Sequence, residues 1–120
     1  MKLLAGFAFA MAGLTSPTAS FAQHAQDDPA PGYSSLLNSD YATAEREIRS
    51  SNAGPYDPAR SINLGVAFAK LGDAARAERE FRQVLREDDV QIVVANGGTF
   101  SSHEVALRAL DAMKSGVLRH

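Results

Sequence analysis

The amino-acid sequence predicts a mainly α-helical domain of short helical hairpins, closed by a small β-hairpin and a last helix. Three observations predict this class. Apolar residues recur at helical spacing along much of residues 33–116. The string Ala-Glu-Arg-Glu occurs at residues 44–47 and again at residues 77–80, a separation typical of helical repeat architectures. β-Branched residues at 90–94 precede a strong turn signal, Asn-Gly-Gly, at residues 96–98.

Residues 1–22 have the pattern of a signal peptide. A lysine precedes an apolar run over residues 3–14, and Ser20 and Ala22 are small residues at the two positions that a signal peptidase reads. We expect cleavage after Ala22 and no stable membrane insertion afterwards. A membrane-spanning helix needs roughly 20 apolar residues, more than this run supplies, and an uncleaved anchor is the alternative. The sequence thus predicts an exported protein, in a bacterial periplasm or secreted.

The rest of the chain predicts one domain behind a flexible leader. Residues 23–32 carry aspartate, proline and glycine with almost no large apolar side chain, so they are predicted to be the leader. Residues 33–116 then form the single domain. The chain has no cysteine, so helix packing must hold the fold. The chain has 12 basic and 14 acidic residues, and arginines alternate with glutamates along the same helices, which does not favour binding to nucleic acid.

The first long helix is predicted over residues 40–51. Ala44 and Ile48 fall on one face because they are four residues apart. Gly54 is expected to end this helix by taking a left-handed backbone conformation, and the proline after it cannot continue a helix. Before this helix, residues 34–38 have room for one helical turn.

The central unit is predicted to be a hairpin of two helices, over residues 58–71 and 73–87. Asp57 is a cap for the first helix because its carboxylate can accept a free amide of the first turn, and the proline after it loses no hydrogen bond there. That helix is apolar on most sides, which indicates neighbours on more than one side. Asp73 caps the second helix, which has one apolar stripe.

A β-hairpin is predicted over residues 90–100, with an irregular loop as the alternative, and a last helix over residues 102–115. Ser101 with Glu104 three residues later matches a capping box at the start of that helix. His103 beside two serines also allows a nucleophile and a base to be drawn. Capping explains these residues more simply, so no catalytic residue, cofactor or metal site is predicted and the chain is not expected to be an enzyme.

Seven positions give the chain a resemblance to the tetratricopeptide repeat family. The family pattern has Trp, Leu-Gly and Tyr in one helix, Ala and Phe in the next, and a closing Pro. The match covers residues 58–89, with residues 40–51 as the second helix of a preceding repeat. The resemblance therefore implies antiparallel helical hairpins amounting to about one and a half repeats. The positions are Ser61, Leu64, Gly65, Phe68, Ala77, Phe81 and Asp89, of which the first and last depart from the pattern.

The resemblance also implies a binding surface. In the family, the first helices line a concave groove that takes extended peptides or partner helices, which here implicates Ala59, Ile62, Asn63, Val66 and Lys70. Asn63 matches a position where peptide-binding members carry an asparagine for the ligand backbone, and a plain solvated polar residue is the other interpretation. The predicted function is an exported, non-catalytic module that binds a protein or peptide. The alternatives are a self-associating structural protein and an accessory subunit of an envelope enzyme.

Overall fold

The computed structural model describes residues 30–93 and 99–118. Within these residues the chain is mainly helical with one small antiparallel sheet and a C-terminal helix, as predicted. The predicted signal peptide, residues 23–29 of the predicted leader and the turn at residues 96–98 lie outside the described residues. In chain order the elements are α1 Tyr33–Leu37, α2 Tyr41–Arg49, α3 Pro58–Lys70, α4 Ala74–Arg86, β1 Gln91–Val93, β2 Thr99–Ser101 and α5 Ser102–Lys114.

Helices α3 and α4 form the predicted central hairpin and run antiparallel. Phe68 on α3 contacts Arg76 on α4, and Gly65, earlier on α3, contacts Phe81, later on α4. Residue numbers thus rise along one helix as they fall along the other. Gly72 in the short connection has a φ of 92°, a backbone conformation that favours glycine. Both helices keep their predicted bounds to within one residue.

Side-chain caps begin four of the helices. Asp57, Asp73 and Ser101 each accept a backbone N–H from the first turn of the helix they precede, at donor–acceptor distances of 3.0, 3.1 and 3.0 Å. Asp40 accepts one in the same way at the start of α2, at 3.3 Å. Each bond satisfies an amide that has no partner inside its helix, so the predicted caps of α3, α4 and α5 are confirmed.

Helix α2 ends for a different reason from the one predicted. The helix stops at Arg49, and Gly54 does not take the left-handed conformation expected of it. Instead, the Ser50 and Ser51 hydroxyls donate hydrogen bonds of 2.9 and 2.8 Å to main-chain carbonyls of the last turn. The same carbonyls, of Arg46 and Ile48, also accept the main-chain N–H groups of Ser50 and Ser51. Each serine therefore bonds to the last turn through both its main chain and its hydroxyl, and the helix has ended before Gly54 is reached.

The core is centred on α3. This helix packs against α2 and α4 and, less extensively, against α1 and α5. All its residues from Ser61 to Ala69 are buried, as the apolar character of most of its sides predicts. At the centre, a Cβ added to Gly65 would lie 2.5 Å from Cε1 of the buried Phe81 ring. Glycine therefore allows α3 and α4 to approach this closely.

Ala30, the first described residue, is already packed, three residues before the predicted start of the domain at Tyr33. Ala30 is 2% exposed and packs on Ala59 at the start of α3. Gly32 has a φ of 79°, and a Cβ added to it would lie 2.6 Å from Cγ1 of Ile48. The last residues of the predicted flexible leader are thus packed against the helices.

The two strands of the predicted β-hairpin are present in the structure. β1 and β2 pair antiparallel, with Ile92 opposite Phe100. Ile92 is buried and Phe100 packs partly buried against the same core, so the small sheet has one face on the helices. Ser101 ends β2 and caps α5, which joins the hairpin directly to the last helix. Among the described residues there is also no helix with the length and apolarity required to cross a bilayer.

Candidate functional site

Most of the predicted α3 groove is enclosed. Ala59 is 3% exposed, and Ile62, Asn63 and Val66 are fully buried. Lys70, at the end of the helix, is half-buried. A partner does not reach the first four side chains in this conformation. Their role as a binding surface stays a prediction, and it would require this face of α3 to become exposed.

Asn63 is not the plain solvated residue that one interpretation of the sequence suggested. Its side chain is fully buried. No buried polar side-chain atom of the described residues lacks a hydrogen-bond partner, Asn63 included. A buried amide whose hydrogen bonds are satisfied favours one packing arrangement over others, because alternatives leave the amide unpaired.

Ser102 and His103, the residue types of a nucleophile and a base, form hydrogen bonds that connect two helices. His103 Nε2 lies 2.7 Å from the Glu87 carbonyl oxygen, which can only accept, so Nε2 carries the proton. Ser102 Oγ accepts the Val90 N–H at 3.0 Å and donates to Asp89 at 3.3 Å. These bonds tie the segment after α4 to the first turn of α5. The described ranges hold no group of three His, Cys, Asp or Glu side chains placed to bind a metal ion.

The same hydrogen bonds act on Asp89. Its carboxylate accepts the backbone N–H of His103 at 2.9 Å. That bond is the largest cause that lowers the pKa of the Asp89 carboxyl, and hydrogen bonds from Ser101 and Ser102 lower it further. The ionised form is therefore the one that holds α5 to the preceding segment.

An open, partly apolar groove lies between α4 and α5. It has a volume of about 510 Å³. Leu107 on α5 is 56% exposed there, and Leu110 and Met113 are half-buried. Apart from Ala74, the remaining lining residues are charged, with both signs present. We call this surface the α4–α5 groove, defined by Ala74, Glu78, Arg82, Leu107, Leu110, Asp111, Met113 and Lys114.

Helical spacing brings the groove residues together. On α4, Ala74, Glu78 and Arg82 are four residues apart and share one face, and the last two form an ion pair of 2.6 Å. On α5, Leu107 lies outside the apolar stripe that faces the core. Sequence reasoning missed this site because it used only the core-facing stripe of α5. An isolated leucine on the polar side of the last helix was the signal available.

Comparisons with protein-family models, with curated proteins and with solved structures give no match for this chain. The tetratricopeptide resemblance therefore rests on the five of its seven positions that fit the pattern, with Phe68 counted in place of Tyr. The fold and surface define a mainly α-helical domain with an open groove between α4 and α5.

Proposed function

We propose that this chain is an exported, non-catalytic interaction module on a tetratricopeptide-like scaffold, and that it binds an amphipathic helix of a partner protein in the α4–α5 groove. The observation that carries the proposal is the exposed Leu107 beside the half-buried Leu110 and Met113. Covering apolar surface is favourable by about 25 cal/mol per Å². A helix with apolar residues at spacings of three and four would cover all three side chains at once.

The walls of the groove favour a helix over an extended peptide. An extended peptide that binds by strand addition needs main-chain hydrogen bonds to an open strand edge. Both walls here are α-helices, whose main-chain groups already bond within the helix. A partner helix likewise satisfies its own main chain, so side-chain packing alone can hold it.

The charges of the groove favour a protein partner. Glu78 and Arg82 lie on one wall, and Asp111 and Lys114 lie on the other. Such a rim complements a helix that carries both signs, which fixes its register and suppresses wrong partners. A nucleic-acid backbone, which has one sign, would meet two carboxylates there.

The scaffold argument comes from the resemblance. Repeats of this kind bury their cores by stacking, and the last unit needs a cap. Here α5 follows the repeat-like hairpin, and its outer face carries Leu107 with no later described helix packed on it. A partner helix would occupy the place of the next helix. The signal-peptide pattern of residues 1–22 supports export, with a bacterial periplasm as the proposed location.

Selection of helical peptides against the purified protein tests the proposal. We expect enrichment of sequences with apolar residues at spacings of three and four. An enriched peptide should bind Leu107→Asp at least about tenfold more weakly than wild type, because the substitution puts a charge on the apolar floor. Leu37→Asp is the matched control, since Leu37 is 55% exposed on another surface, and it should bind as wild type does.

Two outcomes would contradict the proposal. One is the absence of enrichment, or equal loss of binding in both leucine variants. The other is a wild-type dimer at micromolar concentration in sedimentation that Leu107→Asp converts to a monomer. The groove would then be completed by a second copy of this chain, which is the self-association alternative.

A further inference from the structure

Four arginines meet on the other side of α4. Arg49 ends α2, Arg60 lies in the first turn of α3, and Arg76 and Arg79 lie on α4. Together they line a depression of about 390 Å³. The buried stripe of α4 that contains Phe81 separates this depression from the α4–α5 groove. We call it the arginine pocket.

Two of the four guanidinium groups are outside the ion pairs of the described residues. Arg60 and Arg79 form no ion pair with any residue that the structure describes. Glu80 is the single carboxylate among the residues that line the pocket, and it pairs with neither of them. A guanidinium carries five N–H donors in a planar fork, so Arg60 and Arg79 can each offer two parallel hydrogen bonds to an anion.

The other two arginines are held in position. Arg49 Nη1 lies 3.3 Å from Glu45 Oε2, and Arg76 Nε lies 3.5 Å from Asp73 Oδ2. The Arg76 guanidinium also lies 5.6 Å from the centre of the Phe68 ring. Both side chains stay 52% exposed, so further donors of each face solvent. Holding these groups in advance lowers the entropy that binding an anion would cost.

The chemistry of the pocket selects a ligand with several charged oxygens. A carboxylate has two oxygens in one plane, and one guanidinium fork satisfies it. A phosphate group carries close to two negative charges and three acceptor oxygens that point to different sides. Forks from three helices can therefore engage one phosphate. At about 30 Å³ for each water, the 390 Å³ depression also has room for a second phosphate or an attached group.

We propose that the arginine pocket binds a small soluble anion that carries phosphate, of the size of a diphosphate. Arg60 and Arg79 make the principal contacts, while Arg49 and Arg76 close the site from α2 and α4. The nearly fully buried Leu64 and Phe68 complete the lining of the pocket. This site is independent of the proposed helix-binding groove, so either can be disproved without the other.

Calorimetric titration with inorganic pyrophosphate at about 20 mM ionic strength tests the site, because exposed charges are little screened there. Wild type should bind, and the Arg60→Gln, Arg79→Gln double variant should bind at least about tenfold more weakly. Arg82→Gln is the matched control on the same helix, since its guanidinium pairs with Glu78 in the other groove. It should keep wild-type affinity, and affinity should fall at about 200 mM ionic strength.

Glu80→Gln is expected to strengthen binding, a result that a misfolded variant would not give. Removing the pocket's carboxylate should strengthen pyrophosphate binding by about threefold, since it takes a like charge away from the ligand. Absence of heat at low ionic strength would overturn the proposal. Equal weakening in Arg82→Gln, or equal binding of a dicarboxylate such as succinate, would also overturn it, because the pocket would then offer only general positive charge.

Discussion

Both sides of helix α4 carry arginine and glutamate, yet one side is charge-balanced and partly apolar and the other is cationic. Facing α5, Glu78 and Arg82 neutralise each other at 2.6 Å beside an apolar floor. Facing α2 and α3, Arg76 and Arg79 join two more arginines around a single carboxylate, Glu80. A simple charge count of α4 would not distinguish these sides.

The difference comes from what each neighbouring helix contributes. From α5 come Leu107 and Leu110, so that side of α4 becomes apolar with a balanced rim. From α2 and α3 come Arg49 and Arg60, so the other side becomes cationic. Alternating glutamate and arginine on one helix therefore does not show that all of its faces are plain solvated surface.

The largest predicted effect is on the free energy of unfolding, from a substitution in the buried stripe of α4 between the two surfaces. Phe81 is fully buried beneath them. We expect Phe81→Ala to lower the free energy of unfolding by about 3–5 kcal/mol and to weaken binding on both sides together. Urea denaturation followed by circular dichroism measures it. Tyr56→Ala, at a side chain that is 64% exposed, should change stability by less than about 0.5 kcal/mol. A Phe81→Ala loss below about 1 kcal/mol would contradict this placement.

The close approach of α3 and α4 predicts the next effect. Gly65→Ala should destabilise by about 1–2 kcal/mol, because three Phe81 ring atoms lie within 3.0 Å of the added Cβ and outweigh the better helix propensity of alanine. Gly54→Ala is the control, since nothing lies within 4 Å of its added Cβ. Denaturation midpoints should fall for the first and stay level or rise for the second. The reverse order would show that α3 and α4 are further apart.

The tie between α4 and α5 predicts a pH dependence. The folded-state pKa of Asp89 lies below its unfolded value, so its stabilisation is present above the unfolded pKa and is lost as pH falls through the folded one. Asp89→Asn should lower the melting temperature at neutral pH and lose less than wild type on acidification. Asp88→Asn is the control, as Asp88 forms no hydrogen bond with another described residue. Parallel pH profiles for wild type and Asp89→Asn would contradict the assignment.

The smallest effect concerns the ion pair on the side of α4 that faces α5. Glu78→Gln removes the ion pair with Arg82 and should cost about 0.3–0.5 kcal/mol, as for exposed pairs one helical turn apart. That cost should disappear at high salt, because salt screens exposed charges. The Arg82→Gln, Glu78→Gln double-mutant cycle measures the coupling. A coupling that salt does not change would mean that the pair is not electrostatic.

Local chemistry made most of the fold predictable. Asp57, Asp73 and Ser101 were recognisable as caps because each precedes an apolar periodic segment, and all three accept the expected amide. The end of α2 was not predictable in the same way. Gly54 is the stronger signal in the sequence, yet the helix already ends at Arg49, where the Ser50 and Ser51 hydroxyls bond to carbonyls of its last turn.

The proposed binding surfaces were harder to predict because they depend on the distances between helices. Arg49, Arg60 and Arg79 each look like a solvated residue on its own helix, and only the packing of three helices brings them to one depression. The predicted α3 residues were taken from the family pattern, and Asn63 shows the difficulty. Its position along the helix follows from the sequence, but its complete burial depends on what packs over it.

The most direct test of the central claim, that α4 separates two independent binding surfaces, is a two-dimensional NMR titration of the isotope-labelled protein. A selected helical peptide and inorganic pyrophosphate are added in turn and then together. We expect the peptide to shift resonances around Leu107 and Lys114, pyrophosphate to shift those around Arg60 and Arg79, and each ligand to bind unchanged in the presence of the other. Overlapping shifts, or competition between the two ligands, would contradict the claim.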